Sequence, residues 1–182
     1  TPLYSSAASD VYKRQLVAWG GLALFLLGET LPRPRWRDWA WGAGLAALIG
    51  IPGLVLYIVS LHMGWTKEVI PATDAAKVPL LLVWSAANAF AEETVVVMWL
   101  LTRLKQLHVP VAGAIAASAV LRGTYHLYQG FSAGIGNIAM GVIFAYFYHR
   151  TGKVWPLILA HFLIDAVAYL GYLFFDLGWL GL

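Results

Sequence analysis

Two adjacent glutamates, Glu92 and Glu93, interrupt a run of 24 residues from Val78 to Leu101 that holds no other ionisable side chain. An apolar run longer than about 18 residues reads as a membrane-spanning helix. A carboxylate near the middle of such a helix costs about 2.5 to 3.5 kcal/mol on insertion scales, so it faces a bundle interior and carries function. Adjacent helical positions point about 100° apart. The two glutamates are therefore expected on different faces, one meeting the chemistry and the other a partner helix or the first one's hydrogen-bond shell.

The rest of the chain fits a membrane protein. It is 60% hydrophobic and only 12% charged, with a mean hydropathy of +0.72, against about 45 to 50% apolar content in a soluble domain. The fold class that follows is all-α: a polytopic membrane helix bundle with five full spans plus a short or truncated first one. A net charge of +3 is what a few cytoplasmic loop residues supply and points to no nucleic-acid partner. Absence of cysteine excludes disulfides and thiolate chemistry.

Residues 1–15 are polar and read poorly as helix or signal peptide, so they are expected to be disordered or non-native, with residues 16–182 forming one membrane-embedded domain. Leu16–Gly28 is apolar but short. Trp39–Met63 is a second run, with a kink expected at Gly50-Ile51-Pro52-Gly53. After the glutamate helix come a fourth run, Val109–Tyr128, a fifth, Phe131–Tyr148, and a last one, Val154–Phe175. Gly134, Gly136 and Gly141 in the fifth would allow close helix packing.

Loops bearing Arg33, Arg35 and Arg37, then Arg103 and Lys105, then Arg150 and Lys153, alternate with a net-neutral loop at 64–77 and an uncharged one near 130. The positive-inside rule makes the three basic loops cytoplasmic. Glu92 and His161 then sit roughly 10 to 15 Å from that face, whereas His126, counted from Val109, lies roughly 25 Å away.

Six polar groups from three helices lie within the apolar runs: Glu92, Glu93, Arg122, His126, His161 and Asp165. Arg122 and His126 are four apart and share a face, as do His161 and Asp165. Two imidazoles and a carboxylate in a dry cavity can bind a metal, or can activate a water and stabilise an oxyanion. A lone intramembrane histidine is as readily a hydrogen-bonded packing residue. Six such groups together have a structural explanation far less often, because each must offset its own insertion cost.

Glu92-Glu93, His126 and His161-Phe162-Leu163-Ile164-Asp165 stand in an order that resembles the CPBP family of intramembrane proteases (CAAX protease and bacteriocin-processing, or Abi). The family's pattern is Glu-Glu-x-x-x-Arg, Phe-x-x-x-His and His-x-x-x-Asn/Asp on successive membrane helices, and the resemblance covers about Val78 to Tyr172. It implies a peptidase in a bacterial cytoplasmic membrane, acting among membrane lipid on a prenylated or membrane-anchored peptide or protein. A glutamate would activate water and the histidines would assist, with Glu92, Glu93, His126, His161 and Asp165 as the catalytic set. Zinc is a possible cofactor, held by His126, His161 and Glu92; a metal-free mechanism on the same residues stands beside it. Two positions depart from the pattern: Val97 stands where the family has its arginine, and Arg122 where it has phenylalanine. Arg122 is expected to supply from the fourth helix the charge that position 97 lacks. The rival readings are a non-catalytic scaffold or immunity protein of the same fold, and a proton-coupled transporter, which an inverted repeat would favour; none is visible.

Overall fold

The computed structural model describes residues 6–66, 76 and 78–174. Six long helices follow in order: α1 (Ser6–Leu27), α2 (Trp36–His62), α3 (Val78–Gln106), α4 (Val111–His126), α5 (Phe131–Thr151) and α6 (Trp155–Phe174). No strand occurs among the described residues; the one β-bridge joins Thr66 to Gly130. Most of the loop at 64–77, expected to be neutral, lies outside the described residues, as do residues 1–5 and Phe175.

Three of the six helices, α2, α3 and α5, are long and apolar enough to cross a membrane, and two shorter apolar stretches lie at Gln15–Leu27 and Trp155–Gly171. The fourth run yields a helix of 16 residues followed by a 3₁₀ turn, Leu127–Gln129. At 1.5 Å per residue that is about 24 Å, short of a hydrocarbon core of about 30 Å. Five full spans are thus more than helix length alone supports. The start of α1 also differs from expectation: helix begins at Ser6, within the segment set aside from the fold. No glycine or proline lies between Ser6 and Gln15, and alanine, lysine, arginine and glutamine there favour helix. Pro52 is carried inside a continuous α2.

The three basic loops meet at one end of the bundle. Arg103 Nη2 donates to the carbonyl of Leu26 and the Trp155 indole to that of Pro32. Asp38, buried at the start of α2, accepts from the Arg35 backbone N–H at 2.8 Å and lies 3.6 Å from Lys153 Nζ. At the opposite end Gly130 takes φ +126°, and a Cβ there would stand 2.7 Å from Thr66 Cα, so the turn into α5 needs glycine on both conformational and steric grounds.

The core cluster unites Leu45 of α2, Val97 and Leu101 of α3, Met140, Phe144 and Ala145 of α5, and Leu157 and Ala160 of α6. Helices α4 and α5 approach along small residues. A Cβ on Gly141 would meet Ala119 Cα at 2.7 Å, and one on Gly123 would meet the Gly134 carbonyl oxygen at 2.9 Å. Gly134 is equally crowded, but Gly136 faces Leu56 of α2 at an ordinary 3.7 Å, so only two of the three glycines expected at this seam belong to it. Gly141→Leu should force α4 and α5 apart and lower stability in detergent by at least about 1 to 3 kcal/mol, read as a fall in thermal midpoint. Gly136→Ala should leave the midpoint nearly unchanged.

Candidate active site

Within α3 the backbone changes character at the glutamates. Val78–Glu92 is α-helical, Glu93–Trp99 is π-helical and Leu100–Gln106 returns to α. A π turn closes its hydrogen bonds one residue later and is wider, so successive side chains diverge by less than in an α-helix. Hydroxyls serve carbonyls along this stretch: Thr94 Oγ1 donates to Phe90 O at 2.7 Å, Thr102 Oγ1 to Met98 O at 2.7 Å and Ser118 Oγ of α4 to Val96 O at 2.7 Å.

Both glutamates border one site but divide within it, Glu93 being buried against residues of partner helices while Glu92 keeps some exposure. Arg122 of α4, fully buried, spans them: Nη2 lies 2.6 Å from Glu93 Oε1 and Nη1 3.5 Å from Glu92 Oε2. The expected pairing of Arg122 with the glutamates is present, and with both of them. Its guanidinium also lies 5.6 Å from the centroid of Phe144, which shares a core cluster with Val97. The position where the family carries arginine is therefore apolar packing here, next to the ring that underlies the relocated charge.

The remaining partners separate the two carboxylates. Glu93 is completely buried, and its Oε1 accepts from His161 Nδ1 at 2.7 Å. A carboxylate only accepts, so Nδ1 carries the proton and the other ring nitrogen, Nε2, is turned towards Asp165 Oδ1 at 3.6 Å. Asp165 in turn accepts from Asn88 Nδ2 at 3.4 Å. The Glu92 side chain keeps 11% exposure; its Oε2 accepts from the Tyr125 hydroxyl at 2.6 Å. Beside it opens a cavity of about 190 Å³ lined by Leu16, Trp19, Ala91, Val95, Val96 and Tyr125.

His126 is half-buried one turn beyond Arg122. Its Nδ1 donates to the Arg122 carbonyl at 3.0 Å, which leaves Nε2 with a free lone pair, and its ring lies 4.6 Å from that of Tyr125. The depth arithmetic accounts for its position: Arg122, not His126, is the α4 residue level with the glutamates.

Among the described residues one group can hold a metal ion, Glu92, Glu93 and His161, whose ligand atoms lie within 4.8 Å of one another. This differs from the expected set of Glu92, His126 and His161: Glu93 takes the place of His126, which lies one helical turn beyond Arg122 on α4. Glu93 Oε2, buried and without a donor among the described residues, favours an ion there. The guanidinium on both carboxylates opposes it, since a dication on those oxygens would face Arg122 across a few ångströms of dry protein. Tyr125 and Asn88 were not singled out from sequence. Asn88 is four residues before Glu92 and Tyr125 three after Arg122, so each lay on a face already marked as polar.

A bundle of apolar helices that closes around glutamate, arginine and imidazole is an integral membrane protein with a cluster of ionisable groups in its interior. The chain belongs to the Rce1-like family: the family model described as type II CAAX prenyl endopeptidase Rce1-like matches residues 74–167, which is 94 of the 182. The match runs from just before α3 into α6 and includes every polar residue of the site. No curated protein and no solved structure matches the chain.

Removing one partner of a buried ion pair costs more than replacing both. Arg122→Leu, which leaves Glu93 buried without its guanidinium partner, should therefore destabilise the solubilised protein by about 3 to 5 kcal/mol. The double change Arg122→Phe with Val97→Arg should recover most of that loss. Recovery no better than in Arg122→Phe alone would show that position 97 cannot supply the charge.

Proposed function

We propose that the chain is an intramembrane endopeptidase that hydrolyses a peptide bond of a prenylated or membrane-anchored peptide or protein, with Glu92 as the general base. One observation carries the choice: Glu92 lines the cavity of about 190 Å³, whereas Glu93 is completely buried. Water in that cavity gives its proton to Glu92 and attacks the scissile carbonyl carbon. The proton then passes to the departing amine as the C–N bond breaks. His126, its Nε2 unengaged, assists at the reacting atoms. Glu93, Arg122, His161 and Asp165 hold the field around the base, with His161 fixed between two carboxylates.

Arg122 already supplies one positive charge to the two carboxylates, and the reaction is assigned to protein groups without a zinc-dependent step. If zinc is bound, Glu92, Glu93 and His161 are the residues that would hold it, and it would polarise the attacking water. Arg122 also favours the enzyme reading over the scaffold, since the charge absent at position 97 is supplied to the glutamates from α4. The site stands about 16 Å from Arg103, counted along α3 from Glu92, a depth that, with the basic loops read as cytoplasmic, supports a site near the middle of the membrane and reached from its cytoplasmic side.

The test is cleavage of a farnesylated peptide and of a membrane-anchored leader peptide in proteoliposomes. Glu92→Gln should lose about 10²- to 10⁴-fold in turnover with folded yield retained, whereas Glu93→Gln should lose folded yield first. Near-wild-type turnover in both variants would end the glutamate-centred mechanism. Prolonged chelation should leave the rate unchanged, and loss of rate restored by added zinc would instead place a metal on the carboxylates.

A further inference from the structure

We infer that Tyr125 is a positioning residue for the general base, fixing which oxygen of Glu92 is presented to water; this rests on the proposed role of Glu92. Both donors that reach the Glu92 carboxylate meet the same atom. The Tyr125 hydroxyl is 2.6 Å from Oε2, and Arg122 Nη1 is 3.5 Å from it. No donor among the described residues comes to Oε1, so Oε1 is the oxygen left to accept a proton. Of the two anchors Tyr125 is much the closer, and Arg122 is already committed to Glu93 at 2.6 Å. A carboxylate on a side chain with three rotatable bonds keeps one orientation only if an oxygen is pinned. An error of about 1 Å in such a group is enough to cost about 100-fold in rate.

The ring of Tyr125 has two further contacts that place it at the centre of the site. It forms part of the wall of the cavity onto which Glu92 opens, and it lies 4.6 Å from the His126 ring at a 40° tilt. One residue thus sets the base, the histidine and the space between them. It can do so because it is three positions from Arg122, so both side chains leave α4 on the face turned to α3.

Tyr125→Phe removes the hydroxyl and keeps the ring, so the cavity wall and the His126 contact survive. In proteoliposomes with the farnesylated peptide, kcat should fall about 10- to 100-fold with KM within about twofold of the wild type. The second measurement needs no turnover: in protein labelled with ¹³C at glutamate side-chain carboxyls, the infrared bands lost in Glu92→Gln should shift in Tyr125→Phe. A kcat within twofold of wild type where Glu92→Gln is inactive would overturn the role of Tyr125 while leaving Glu92 as base. Unshifted bands would overturn it equally. Full turnover in Glu92→Gln would overturn both.

Discussion

A guanidinium held between two carboxylates, away from water, is the interaction on which this bundle turns. Arg122 is wholly enclosed, as is Glu93, and neither charge would be tolerable there without the other. Satisfying them requires α4 to stand at one depth beside α3, since Arg122 must reach the level of the glutamates. It also requires close approach of α5. A Cβ at Gly141 would lie 3.5 Å from Arg122 Cδ and 2.7 Å from Ala119 Cα, so the small-residue seam is also what allows the arginine stem to be covered. Phe144 and Met140 complete the enclosure.

A π-helical turn begins directly after Glu92. Arg122 meets both glutamates through different nitrogens of its fork. The wider backbone from Glu93 to Trp99 disturbs the regular pairing, and in a membrane no water is available to make good the carbonyls. Thr94, Thr102 and Ser118 supply hydroxyls at this stretch. The site therefore depends on small hydroxyl residues that touch none of its ionisable groups.

The resulting division of labour is asymmetric. Glu93 is clamped by Arg122 and by a histidine whose far side faces Asp165, a chain of contacts that ties α3, α4 and α6 together. Glu92 is held more lightly and meets open space beside α1. That helix contributes Leu16 and Trp19 to the cavity wall and packs on α3 at Gly20, where a Cβ would collide with the Phe90 ring at 2.5 Å. Family membership is carried by the region from residue 74 to 167, and the cavity's outer wall comes from a helix outside it.

Much of this was legible in the sequence because membrane insertion penalises charge so heavily. Glu92, Glu93, Arg122, His161 and Asp165 could be picked out as residues that must find one another, and the pairing of Arg122 with the glutamates follows from the same penalty. Hydropathy likewise marks the helices, though α1 starts earlier than its apolar part and α4 is shorter than its run. What hydropathy cannot carry is the local backbone state. Nothing in Glu-Glu-Thr-Val-Val-Val announces a π turn, and that Glu93, rather than His126, groups with Glu92 and His161 was decided only by tertiary packing. The roles of Tyr125 and Asn88 were hidden for a related reason: an uncharged polar side chain costs little to insert, so its partner is fixed by which helix packs against it.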